Sequence, residues 1–428
     1  MSQKTSNKKR FEEPEFSAFI GIDWADEKHD IPMQLAGQTQ KETRTIEHTP
    51  VALNDWVNEL RQRFGSGKIA VCLEQSKGAL INFLINHDLF ILYPFNPKSL
   101  AKFREAFRPS KAKDDPTDTD FILEIITKHR HKLKPWKPDD ALVRTLNILA
   151  EKRRNAVDRR KAISNQLKSA LKGYFPQVFN LTSEDLYNNL SCQFLLKWPT
   201  LQELQKAKNT TIEKFYHQHH CYGKELVTRR IKLIRQAIPL TTDQAILMTS
   251  PIEVKMLVHQ LQQITYGIDE YDRQLAVLYP QHPYAKIFSS FPGAGPVFSV
   301  RLASAFGADQ ERYQRCNDMQ IYSGVAPITI KSGNSCWVAA RYFCPKYLRQ
   351  TFTEHAGQSI KYSVWAKAYY TMQSKKGKKH HAIIRALAFK WIRIIFRCWK
   401  ENKPYDEIHY LKSLQKKGAE ILKYIATD

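Results

Sequence analysis

Lys111-Ala112-Lys113-Asp114-Asp115-Pro116-Thr117-Asp118-Thr119-Asp120 places four carboxylates within seven residues and runs into a largely apolar, helix-like segment over 121–126. Two readings are open at this point. Acidic residues in the first turn of a helix are favoured by the positive end of its dipole and need no further role. Clustered carboxylates also repel one another unless a cation neutralises them, and hard oxygen ligands suit Mg²⁺ or Mn²⁺. Working outward, Asp23 ends one apolar strand-like run (16–23) and Glu74 ends another (68–74). Two strand ends and one helix start can converge on one edge of a sheet.

Length and composition bound the rest. A chain of 428 residues exceeds one ordinary core and predicts two or three domains. No apolar run reaches bilayer-spanning length, and the polar, basic start is unlike a signal peptide, so a soluble protein without membrane contact, in the bacterial cytoplasm, is expected. The seven cysteines are scattered, form no CxxC and read as free thiols. Sixty-six Lys and Arg against 42 Asp and Glu leave a net charge of +24. Such an excess calls for a polyanionic partner, bound through counterion release from phosphates. A membrane surface is the weaker explanation, because the bases are spread along the chain and not gathered on one amphipathic anchor.

Residues 1–15 read as a basic-then-acidic tail. Strands are predicted over 16–23, 31–36, 43–48, 68–74 and 89–93, and helices over 51–64 and 78–86. Three hairpin-like strands followed by alternating helices and strands indicate an α/β domain with a mixed sheet, over 16–135. Within it, Asp115 and Asp118 stand at i, i+3 and share a helix face, whereas Asp114 and Asp120 point elsewhere and are assigned capping or solvated roles. Asp23, Glu74, Asp115 and Asp118 can hold two divalent ions, which activate a water or hydroxyl and stabilise both oxygens of an in-line phosphoryl displacement.

From residue 136 the character changes. A long helix is predicted over 143–175, with leucines on one side and Lys152, Arg153, Arg154, Arg159, Arg160, Lys161 and Lys168 on the rest. A phosphate-binding face and a merely solvated one are equally good readings. Residues 181–240 read as short polar helices without evident chemistry. Val254, Leu257, Leu261, Ile264, Ile268, Tyr271, Leu275 and Leu278 alternate in steps of three and four, a heptad seam bounded by Pro251 and Pro280. An intrachain hairpin with the helix at 143–175 and an intermolecular coiled coil both satisfy it; the coiled coil is preferred here. Residues 281–428 form the third region. Its Gly293-Ala294-Gly295 leads into a helix and can present N–H groups to a phosphate, although most such turns are only turns.

The whole pattern resembles one family. Gly21-Ile22-Asp23, the strand-ending Glu74, Asn96-Pro97 and Ala112-Lys113-x-Asp115-x-x-Asp118 look like the RuvC-like (ribonuclease-H-like) domain of the DEDD transposases, similar to the Holliday-junction resolvase RuvC. That family includes Piv-type DNA invertases and the insertion-sequence transposases described as bridge-RNA-guided recombinases. The resemblance continues through Pro292-Gly293-x-Gly295-Pro296, Gly324-x-x-Pro327, Ser332-Gly333 and Tyr347-Leu348-Arg349, and covers most of 16–410. It departs at 336–345, where the family's glycine-containing basic turn is replaced by a segment holding Trp337, Phe343 and Cys344.

The resemblance implies an N-terminal DEDD catalytic domain, a central helical region with a coiled coil, and a mainly helical C-terminal transposase domain. It also implies that Ser332 is the nucleophile, five residues after Pro327, with Ser323 and Ser335 structural. The implied cofactor is Mg²⁺ (or Mn²⁺) and the implied partners are donor and target DNA, a guide or bridge RNA, and further copies of the chain in a dimer or tetramer. Two competing functions account for part of the pattern: a metal-dependent junction endonuclease or a directly reading DNA invertase, and a non-catalytic nucleic-acid-binding protein whose acidic cluster is a helix cap.

Overall fold

The computed structural model describes residues 15–23, 25–74, 78–107 and 115–425; the side chains of Phe107, Asp115, Pro116 and Thr117 lie outside that description, as do the capping role expected of Asp114 and the tail over 1–14. The chain divides into two compact units, Met1–Pro138 and Asp139–Asp428.

The first unit is built on five strands: β1 (Phe16–Ile22), β2 (Lys28–Leu35), β3 (Lys41–Glu47), β4 (Lys68–Leu73) and β5 (Phe90–Pro94), in the order β3-β2-β1-β4-β5. β1, β2 and β3 run antiparallel, whereas β1, β4 and β5 are parallel. β1 and β4 lie inside the sheet with helices on both faces, which is why they read as near-continuous apolar runs. The two faces follow from the period of two. Ile69, Val71 and Leu73 of β4 join the core beneath helices α1 (Pro50–Phe64) and α2 (Ala79–Leu84). Ala70 and Cys72 point to the other face, against α3 (Pro97–Phe107) and α4 (Asp115–Lys128), where Leu100, Phe121, Ile122, Ile125 and Ile126 are buried. Thr49 caps α1, its side chain accepting from the Ala52 N–H at 3.2 Å, and Pro50 stands where its missing N–H costs nothing.

The second unit opens with α5 (Ala141–Tyr174), capped by Asp140, and returns along the 35-residue helix Gln244–Leu278. Between them five short helices over 178–236 close a core around Phe194, Trp198, Phe215 and Tyr216. Two expectations are corrected here. Pro251 does not bound the seam; it sits inside the helix. Its ring removes one backbone bond, and the helix carries through because Leu247 before it and Val254 after it are both held by the core. The seam, with Val254, Leu257, Leu261, Ile268 and Leu275 buried, packs on Leu167, Leu171, Leu146 and Ala150 of α5 in the same chain, so the hairpin alternative is the arrangement present and no intermolecular coiled coil is needed to cover it. Arg153 reinforces the pair by a two-point ion pair with Asp272. Part of the basic surface of α5 is likewise engaged internally: Arg154 pairs with Asp158, and Arg160 lies 4.0 Å over the Tyr187 ring.

Apart from one two-stranded hairpin, the remainder is helical around a core of Trp365, Trp391, Trp399, Phe306 and Phe352. All seven cysteines are free thiols. Among the described residues no helix is long and apolar enough to cross a membrane.

Candidate metal centre and serine hairpin

Parallel pairing sets Ile22 beside Leu73, so Asp23 and Glu74 leave neighbouring strands at the same edge of the sheet. α4 reaches that edge because residue 21 is glycine: a Cβ there would stand 2.7 Å from the Leu123 nitrogen and 2.8 Å from the Thr119 carbonyl oxygen. Asp118, one residue before Thr119, is only 5% exposed. A carboxylate so buried requires compensation. Arg104 on α3 supplies it, with Nη1 at 2.6 Å from both carboxylate oxygens. The hydrogen bond that Arg104 donates to Asp118, then the charges of Asp118 and Glu74, hold the guanidinium still more firmly protonated, which brings Glu74 into the same electrostatic neighbourhood. Asp120 turns away to Lys41 of β3, at 2.6 Å.

Three acids of the sequence pattern are thus placed by this edge, with Asp115 at the first position of the same helix as Asp118 and its side chain outside the described residues. Among the described residues no group of three His, Cys, Asp or Glu stands ready to hold a metal. The residue types are carboxylates alone, the oxygen donors that a hard divalent cation takes, with both Asp118 oxygens held by Arg104 in this arrangement.

Sequence reasoning did not find Arg104, because nothing in the spacing of α3 marks it. It also missed the support behind Asp23. His29 is fully buried; its Nε2 lies 2.8 Å from His48 Nδ1, and the Ala25 N–H reaches its Nδ1 at 3.4 Å, which ties the turn after β1 to β2 and to the residue following β3. Burial, then the nearby His48, lowers the basicity of His29.

Ser332 belongs to the second unit. It ends β6 (Ile328–Ser332), which pairs with β7 (Ser335–Ala339) through a two-residue Gly333-Asn334 loop. Gly333 has φ +54°, the left-handed value required at the first central position of a tight hairpin turn. Ser332 is exposed. Ser323 is fully buried and donates to the Gln320 carbonyl at 3.3 Å. Gly293 has φ +72°, and a Cβ there would press at 3.1 Å on both Gln358 and Tyr362, so close packing already accounts for this glycine.

A mixed sheet in the order β3-β2-β1-β4-β5, with acids at the ends of its central parallel pair and an acidic helix packed across them, is compatible with the ribonuclease-H-like domain of a DNA-processing enzyme. Residues 20–176 match the DEDD transposases of IS110 type, and residues 285–371 match the transposase family IS116/IS110/IS902, together more than half of the chain. The protein named as the mini-circle transposase for IS117 of Streptomyces coelicolor is 24% identical over 403 residues, covering 92% of this chain and 97% of its own. The IS116 44.8 kDa protein of Streptomyces clavuligerus is 20% identical over 400 residues, 90% and 96% of the two chains. The IS900 42 kDa protein of Mycobacterium paratuberculosis is 21% identical over 303 residues, 69% and 73%. The chain belongs to the IS110 family of insertion-sequence transposases, enzymes that cleave and rejoin DNA. Membership in the DEDD group also points to dependence on a divalent metal.

Proposed function

We propose that this transposase cuts and rejoins DNA through a covalent phosphoserine intermediate at Ser332, with Mg²⁺-dependent assistance from Asp23, Glu74, Asp115 and Asp118. Residues 16–135 are read as the DEDD catalytic domain and residues 281–428 as the domain that carries the serine. The observation that carries the reading is the presentation of Ser332: an exposed hydroxyl at a strand end, oriented by a paired ladder and a glycine turn, in a family whose chemistry is DNA strand exchange.

In the covalent step the Ser332 Oγ–H gives up its proton, Oγ bonds to phosphorus, and the bond from phosphorus to the 3′ oxygen breaks. The 3′ oxygen takes a proton and leaves as a free hydroxyl. One phosphodiester is exchanged for another, so the bond energy is kept for rejoining. A divalent ion, when bound, supplies charge neutralisation at the phosphoryl oxygens and a more acidic hydroxyl. Asp23, Glu74, Asp115 and Asp118 would hold it, and Arg104 keeps the Asp118 carboxylate compensated otherwise.

The net charge of +24 supports a polyanionic partner. The proposal extends this to donor and target DNA selected by a bridge RNA, and to a dimer or tetramer acting in the bacterial cytoplasm. Denaturing electrophoresis and mass spectrometry of protein incubated with its element's junction DNA test the serine. Wild type should yield a DNA adduct on the Ser332 peptide, and Ser332→Ala should yield none while still binding DNA. An undiminished adduct in Ser332→Ala sinks the assignment. Nicking without rejoining or adduct, dependent on Mg²⁺, favours the junction endonuclease. Sequencing of co-purified nucleic acid separates an RNA-guided enzyme from an invertase that reads DNA directly.

A further inference from the structure

From residue 319 to residue 400 the chain carries a single acid, Glu354. Residues 319–353 contain no Asp or Glu, although acids make up 42 of the 428 residues overall. They contain four bases, Lys331, Arg341, Lys346 and Arg349. The same segment leaves large apolar side chains in solvent: Trp337 is 49% exposed, Val338 66% and Tyr342 81%. β6 and β7 are exposed along nearly their whole length. A lone two-stranded hairpin is marginal in water, so one that displays an indole and a lysine, with three more bases just after it, is shaped for a partner.

Register says which side chains act together. Ile330 pairs with Trp337 and Ser332 with Ser335, so Ile330, Ser332, Ser335 and Trp337 share one face. Thr329, Val338, Lys331 and Cys336 lie on the other. Diagonal neighbours on one face of an antiparallel pair are roughly 7–8 Å apart, within reach of an aromatic ring. Trp337 is that diagonal neighbour of Ser332. A phosphate held at Ser332 therefore places an adjoining base against the indole. Freedom from acids and the flanking lysines make a nucleic-acid strand the favoured occupant, and stacking on aromatic rings tolerates any base.

We propose that Trp337 stacks on the base next to the phosphodiester presented to Ser332, in DNA unpaired at that point, and so selects which phosphate reaches the hydroxyl. Ile330 packs beside the indole and holds its plane, and Lys331 neutralises the neighbouring backbone from the opposite face. Trp337 is a positioning residue. The proposal rests on the serine reading above.

The test uses full-length protein and junction DNA carrying 2-aminopurine on either side of the nicked phosphate, with the same sequence as RNA in parallel. Wild type should quench the probe on one side only. Trp337→Phe should retain most of the quenching, whereas Trp337→Ala should lose it and bind roughly five-fold more weakly or worse. In Trp337→Ala the residual adduct at Ser332 should spread over neighbouring phosphates. Val338→Ala, on the opposite face, should behave as wild type. Unchanged quenching and affinity in Trp337→Ala overturn the proposal, as does an effect confined to the RNA probe, which would make the hairpin an RNA contact. The two readings fail separately: loss of quenching in Trp337→Ala beside a persistent adduct in Ser332→Ala retains the stacking residue and removes the serine nucleophile.

Discussion

Arg104 holds both carboxylate oxygens of Asp118 through one nitrogen, at 2.6 Å each, inside the face of the sheet where the acidic edge lies. The guanidinium occupies the electrostatic role that a divalent ion takes in an acidic site. It lets the metal-free fold keep a buried carboxylate. Arg104→Gln should therefore lower the melting temperature in EDTA, with a loss of about 3–5 kcal/mol as the upper scale for an uncompensated buried charge. Added Mg²⁺ should restore more stability to the variant than to wild type. Equal melting temperatures in EDTA would show that Asp118 does not depend on this partner.

Gly21 carries no functional group, yet the acidic edge depends on it. Gly21→Ala puts a methyl 2.7–2.8 Å from the backbone of α4. Overpacking of this kind costs about 1–3 kcal/mol. The expected result is a lower urea midpoint together with weaker Mg²⁺ binding by calorimetry, although no ligand has changed. Normal metal binding in a folded Gly21→Ala protein would separate the position of α4 from the site.

Leu261 is fully buried between the helix Gln244–Leu278 and the core it shares with α5. Leu261→Ala should cost about 2–5 kcal/mol. Because the seam is filled within one chain, that loss should not vary with protein concentration. A concentration-dependent midpoint would instead place a second chain on the seam.

Two buried histidines make the second unit acid-sensitive. Burial pushes His282 and His355 down to about 4 from an ordinary 6.5. The unfolded chain takes up these protons first, so the neutral, folded forms are fully favoured above pH 6.5. Stability falls as pH drops from 6.5 towards 4, by about 1.4 kcal/mol per pH unit for each histidine. Urea midpoints across that range should show the slope, and His355→Phe should flatten it. An unaltered slope in the variant would assign the acid sensitivity elsewhere.

Much of this fold is legible in the amino-acid sequence. The five strands of the first unit fall where apolar runs and alternation place them, because burial on one or both faces of a sheet is written locally with a period of two. Asp23 and Glu74 were visible as strand-ending acids for the same reason, and the residue pattern around Asp118 and Ser332 carried the family. In the sequence Trp337 stands out only as a departure from the family pattern; its place across from Ile330 follows from the register of the hairpin.

What the tertiary structure alone decided is partnership. Heptad spacing specifies an apolar seam but is energetically indifferent to whether the covering helix lies in the same chain, and α5 turned out to cover it. The polar look of 181–240 concealed a core, because its apolar residues are spread over five short helices whose faces meet only after folding. No spacing rule links Arg104 to Asp118, or His29 to His48: charge and hydrogen-bond partners 14 and 19 residues apart are chosen by proximity in space. The sequence determined which residues seek burial or a counter-charge, since those are properties of single side chains and their near neighbours. Only the fold decided which group answers each of them, because that depends on distances between segments that no local pattern contains.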